Sequence, residues 1–146
     1  MNQRARAKVL DHEAEIVKLP FERALVFDAS GNIVMTKDGD AAKVNLNRDE
    51  QRKLYGRVLS HNHPQGGSFT LSDVSTACLN HASELRAVSA HNTFSLRGGN
   101  RGLDPRNFSN ISKAVHRLAP GGLTPDNAHA VWKQVAAENG LNYVVS

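Results

Sequence analysis

Apolar positions recur at helical spacing from residue 3 to about 18, where Ala5, Val9, Ile16 and Val17 stand among charges, and Pro20 ends the run. Two short apolar runs follow, Leu25-Val26-Phe27 and Ile33-Val34-Met35, on either side of Ser30-Gly31-Asn32. Such a pair around a Gly/Asn turn predicts a β-hairpin. Val44 and Leu46 mark a further short strand, and residues 48–55 a short helix capped by Asn47. Val58 and Leu59 form a strand end that leads directly into His61. Thr70-Leu71-Ser72-Asp73 is a helix-start signal, and the helix is expected to run through about Glu84. Residues 85–90 and 93–97 predict a second hairpin turning at His91-Asn92. Helices are expected at 105–118 and 125–138, the latter with Pro125 in its first turn, then Gly140 as terminator and a last strand at 141–145. The strands look mostly antiparallel, giving an α/β chain with helices interrupting a mixed β-sheet.

Composition narrows this picture without changing it. The chain has 146 residues, enough for one domain with its own core, here 1–146 with its core at 3–97 and C-terminal helices and strand at 103–146. At 40% hydrophobic and 22% charged residues it reads as a globular chain. The net charge of +4 comes from scattered Lys and Arg, apart from Arg4, Arg6 and Lys8. No basic stripe is interleaved with aromatics, so a nucleic-acid partner is not expected. Cys78 is the single cysteine, which excludes an intrachain disulfide and fits a reducing compartment. No stretch approaches the ~20 apolar residues of a membrane span, and the N-terminus lacks the apolar core of a secretory signal. The expectation is a cytoplasmic protein, or a domain of a longer cytoplasmic chain.

The chemistry concentrates in Ser60-His61-Asn62-His63-Pro64-Gln65-Gly66-Gly67-Ser68-Phe69-Thr70-Leu71-Ser72-Asp73. Residues two apart at an extended strand end point to the same side, so His61 and His63 can aim both imidazoles at one point. The Pro-Gly-Gly loop lets the chain double back, and Asp73 in the first turn of the next helix can reach the same point. Two imidazoles and one carboxylate make a three-ligand zinc set that leaves a fourth position for water.

This segment resembles the JAMM (MPN+/JAB) metalloprotease motif, His-x-His-Pro, a short loop, then Ser-x-x-Asp. The resemblance covers residues 3–97 and is strongest at 58–73. It implies a cytidine-deaminase-like mixed sheet packed between helices, one Zn²⁺ held by His61, His63 and Asp73, and hydrolysis of peptide or isopeptide bonds in a protein or peptide substrate. Thr70 stands where the family has its Ser and could donate to a developing oxyanion. The stretch from the second His to the Asp is one residue shorter than in the commonest pattern. The family also uses an upstream Glu as general base, and Glu22, immediately before Ala-Leu-Val-Phe-Asp, fits that place. Glu13 and Glu15 compete, but both lie in the solvent-facing helical pattern. The form His-Asn-His-Pro resembles JAB-like domains of phage head-associated and other bacterial proteins. Two other readings stay open: a non-catalytic assembly module on the same fold, as in a phage particle, and a RadC-like nucleic-acid-associated protein.

Other features call for no chemistry. The letters His-Asn-His do not make an HNH nuclease, whose catalytic residues spread along a ββα unit, and one cysteine cannot supply the zinc deaminase signature. Cys78 and Trp132 sit at core spacing. His81 lies ~12 Å along the helix axis from Asp73 at the usual rise. His12, His91, His116 and His129 are expected at the surface. The loop from Gly98 to Gly102 lacks the flanking elements of a phosphate cradle. Ser68 is a candidate substrate contact, and Ser72 supports the helix start.

Overall fold

A computed structural model describes residues 1–99 and 102–146; Asn100 and Arg101 of the glycine loop lie outside the described residues. The described residues form a six-stranded sheet and five helices: α1 (Gln3–Ile16), β1 (Arg23–Phe27), β2 (Ile33–Asp38), α2 (Arg48–Arg52), β3 (Val58–Asn62), α3 (Leu71–Leu79), β4 (Glu84–Val88), β5 (Thr93–Arg97), α4 (Pro105–Leu118), α5 (Ala128–Asn139) and β6 (Asn142–Val145). The strand order is β2-β1-β3-β4-β5-β6. Both expected hairpins form, and among the described residues only the central β3–β4 pair is parallel. A parallel pair needs a crossover, and α3 provides it.

Side-chain alternation splits the sheet into two faces. Leu25, Phe27, Val58 and Val88 point to one side and pack on Val9 and Ile16 of α1. Ala24, Val26, Leu59, Leu85, Ala87 and Leu96 point to the other, against α3, α4 and α5. The mixed sheet therefore lies between helices, as expected. Trp132 and Cys78 are fully buried in the larger core. Its indole Nε1–H donates to the Phe69 carbonyl at 2.7 Å, which ties α5 to the loop after His63.

Four expectations need correction. The third helix stops at Leu79 instead of running to Glu84: His81 takes a left-handed φ of 55°, and Glu84 becomes the first residue of β4. Val44 and Leu46 form no strand. Asp40 instead accepts from the backbone N–H groups of Ala42 and Lys43, a local turn that removes them from any ladder. Helix α5 starts at Ala128, and Pro125 lies in a turn ahead of it, across which Thr124 and Asn127 bond reciprocally.

The fourth concerns Glu13, which is only 3% exposed and does not face solvent. Its carboxylate accepts from Arg86 Nε and Nη2 at 2.8 and 2.9 Å and from Ser60 Oγ at 2.5 Å. Arg86 also donates to Glu84, which accepts from Ser95 and Arg6. This cluster links α1 to the sheet. Each buried charge has a partner of opposite sign, the condition under which burial is tolerable. No helix among the described residues is long and apolar enough to cross a membrane.

Candidate metal centre

His61 belongs to β3, while the His63 backbone N–H donates to the Val88 carbonyl at 2.8 Å and extends the ladder towards β4. Both imidazoles therefore stand on the α3–α5 face of the sheet, and their Nε2 atoms lie 2.8 Å apart. The antiparallel register pairs Ala24 with His61. Continued by two residues, that register sets Glu22 opposite His63 and on the same face, since Glu22 and Ala24 alternate together. Glu22, His61 and His63 are all buried and offer ligand atoms within 4.8 Å of one another, a group that could hold a metal ion.

Asp73 arrives from the other direction. Gly66 and Gly67 take φ of 82° and 87°, the left-handed conformations that let the chain reverse after Pro64. Thr70 then caps α3: its Oγ1 accepts from the Asp73 N–H at 3.0 Å, and its own N–H donates to Asp73 Oδ2 at 2.9 Å. The same Oδ2 lies 3.2 Å from His61 Nε2 and 3.3 Å from His63 Nε2. A tetrahedral ion with bonds of about 2.0–2.1 Å has ligand–ligand edges of roughly 3.3 Å. The three donor atoms thus have the spacing of ligands to one metal ion with bonds of that length, the two histidine nitrogens standing slightly close. His63 Nδ1–H donates to the Gly67 carbonyl at 3.0 Å, the tautomer that turns the Nε2 lone pair into the site.

The electrostatics follow from this crowding. Burial alone would raise the Asp73 pKa, but the charges and hydrogen bonds of His61 and His63 outweigh it and hold the carboxyl well below the usual range. Burial likewise disfavours a charged His63, yet Asp73, the Gly67 carbonyl and Glu22 together raise its pKa. Glu22 behaves oppositely to Asp73: burial pushes its pKa up to about 7, with His63 opposing and Asp73 and Asp40 assisting. Two carboxylates in one site are thereby separated into a permanent anion and a group poised near neutrality.

Beside Glu22 and His63 opens a cleft of about 180 Å³, walled by Ala42, Ser68, Thr70, Leu123 and Pro125. A second hollow of about 160 Å³ flanks His61 and Asp73 under Val44, Asn45 and Leu46. Residues 41–46 thus touch both hollows. Of the residues singled out in the sequence, His61, His63 and Asp73 converge, Glu22 adjoins them, and Thr70 lines the cleft.

Sequence reasoning missed the support around them. Ser68 is buried and shares a hydrogen bond of 2.8 Å with the Tyr143 hydroxyl, which lies 3.1 Å from Nδ1 of exposed His129. The C-terminal third, which carries no recognisable motif, therefore reaches the cleft through β6 and α5. Only the half-apolar Tyr in the last strand hinted at it. Comparison of the chain with models of known protein families, with curated proteins and with solved structures found no match.

Proposed function

We propose that this chain is a zinc-dependent hydrolase of the JAMM type that cleaves peptide or isopeptide bonds in a protein or peptide substrate. The observation that carries the reading is the convergence of His61 Nε2, His63 Nε2 and Asp73 Oδ2 within 3.3 Å of one another, next to a buried carboxyl of near-neutral pKa. The sheet between two helical layers agrees with the fold that the motif resemblance implies. His61, His63 and Asp73 would hold the ion. When bound, zinc supplies Lewis acidity, which acidifies water and polarises a carbonyl oxygen.

The remaining work falls to the side chains. Glu22, buried at the edge of the cleft beside His63, can take a proton from water there and return it to the departing amine. Thr70 accepts the Asp73 N–H through its oxygen, so its own hydroxyl proton is free to point at a substrate carbonyl oxygen. Ser68 lines the same cleft and offers a further polar contact.

The test is metal content followed by cleavage. The purified chain should bind one equivalent of zinc, and the His61→Ala/His63→Ala variant none. Cleavage of a peptide and isopeptide panel should fall by about 10²-fold or more in Glu22→Gln with zinc retained. No metal in the parent after incubation with excess zinc would sink the reading. Stoichiometric zinc with no cleavage of any panel member would instead favour the assembly module.

A further inference from the structure

The ladder between β1 and β3 ends at Ala24 and His61. One residue further on, the two backbones no longer bond to each other, and the Asn62 side chain fills the gap. Its Oδ1 accepts from the Arg23 N–H at 2.7 Å, and its Nδ2 donates to the Phe21 carbonyl at 2.8 Å and, more weakly, to the Leu19 carbonyl at 3.4 Å. The carboxamide thus presents one acceptor and one donor to the neighbouring chain, as a peptide group of β3 would. Asn62 is 1% exposed, so these bonds form away from competing water. The two residues it grips lie on either side of Glu22. That residue is held further by its own N–H to the Asp40 carbonyl and its carbonyl to the Gly39 N–H, at 2.7 and 2.8 Å.

We infer that Asn62 is a positioning residue for Glu22: its carboxamide extends the sheet by one step and fixes the Glu22 carboxyl beside the two histidines. Alternation explains the placement. His61 and His63 face the metal centre, so the residue between them faces the α1 side, where the chain leaving α1 passes on its way to β1. One dipeptide unit of β3 therefore locates both histidines and, through the residue between them, the carboxyl they work with. The inference rests on the proposed function for the role of Glu22, but the geometric claim can be read without any cleavage assay.

Asn62→Asp is the discriminating variant, because it keeps size and the acceptor for Arg23 while setting a carboxylate oxygen against the Phe21 and Leu19 carbonyls. Parent and variant are labelled with ¹³C-carboxyl glutamate and loaded with Co²⁺. The Glu22 signal is identified by its absence from Glu22→Gln. In the parent it should carry a large paramagnetic shift; in Asn62→Asp that shift should collapse, while the Co²⁺-shifted His63 Nδ1–H signal stays. An unchanged Glu22 shift in the variant would overturn the inference. If Asn62→Asp does not fold, Asn62→Ala carries the same measurement. Where cleavage is detected, Asn62→Asp should lose about as much kcat as Glu22→Gln, roughly 10²-fold or more, with KM little changed. The double variant should be no slower than Glu22→Gln; additive losses would contradict the positioning role. A parent that binds Co²⁺, shows a shifted Glu22 signal that collapses in Asn62→Asp, and cleaves nothing would refute the hydrolase reading and support the geometric claim.

Discussion

Thr70 and Asp73 cap one another at the start of α3, and the carboxylate oxygen that receives the Thr70 N–H is the one that faces both histidines. Helix initiation and ligand placement are thus one structural event. Thr70→Ala should cost about 1 kcal/mol of stability through loss of the cap and weaken zinc binding by roughly 10-fold or more through loss of support for Asp73. Thr70→Ser should preserve both. Chemical denaturation and competition with a chelating dye measure the two effects separately.

Metal-free protein should lose stability as pH rises, for two reasons of the same sign. Glu22 has a folded pKa of about 7, above its ordinary value of 4.5, so the folded state binds more protons between those values. His63 is also raised, and its stabilising charge is present below its ordinary 6.5 and lost as pH climbs through the folded value. Melting curves in chelator should therefore move down from pH 5 to pH 8. Glu22→Gln should flatten the lower part of that slope and melt several degrees higher than the parent at pH 8. A parent melting point that is level or rising across this range would contradict the assignment.

Arg86 holds Glu13 and Glu84 in a closed polar cluster under α1. Arg86→Met should destabilise by about 3–5 kcal/mol, since buried Glu13 loses its ion pair and Glu84 is left with Arg6 alone. Replacing Glu13, Glu84 and Arg86 together with apolar residues of similar volume should recover much of that loss. Urea titration of both variants decides it; equal destabilisation would mean that the cluster does not act as a charge-compensated unit.

Cys78 is fully buried, and burial pushes its thiol up to about 11. At pH 8 a disulfide reagent should label the folded protein far more slowly than the urea-unfolded chain. Fast labelling of native protein would show that α3 opens readily.

Much of the architecture was legible because periodicity and punctuation agreed. Apolar runs flanking turn residues gave both hairpins, Pro20 and Gly140 marked helix ends, and Asn47 and Thr70 marked starts. The convergence of His61, His63 and Asp73 was legible too, since they occupy one short segment. What was hidden depended on partners distant in sequence. Glu13 reads as a surface residue until Arg86, 73 positions away, is known to lie beneath it. Glu84 continues a helical pattern until strand pairing with β3 claims it. Val44 and Leu46 alternate like a strand, but Asp40 satisfies the nearby backbone locally and no neighbouring strand calls for them. Asn62 could not be read at all, because its role exists only where the ladder ends.

The single-crossover stretch that holds the site also sets an order of assembly. Residues 61–73 carry all three proposed ligands on one local turn of chain, whereas Glu22 reaches them only when β1 docks along β3. Closing the short loop costs little chain entropy, and closing the long one costs more. A nascent or partly unfolded molecule in which β1 has not docked can still gather its two imidazoles and one carboxylate around an ion. On the proposed reading the Glu22 carboxyl would then be the last part installed, so that ion capture would precede hydrolytic competence.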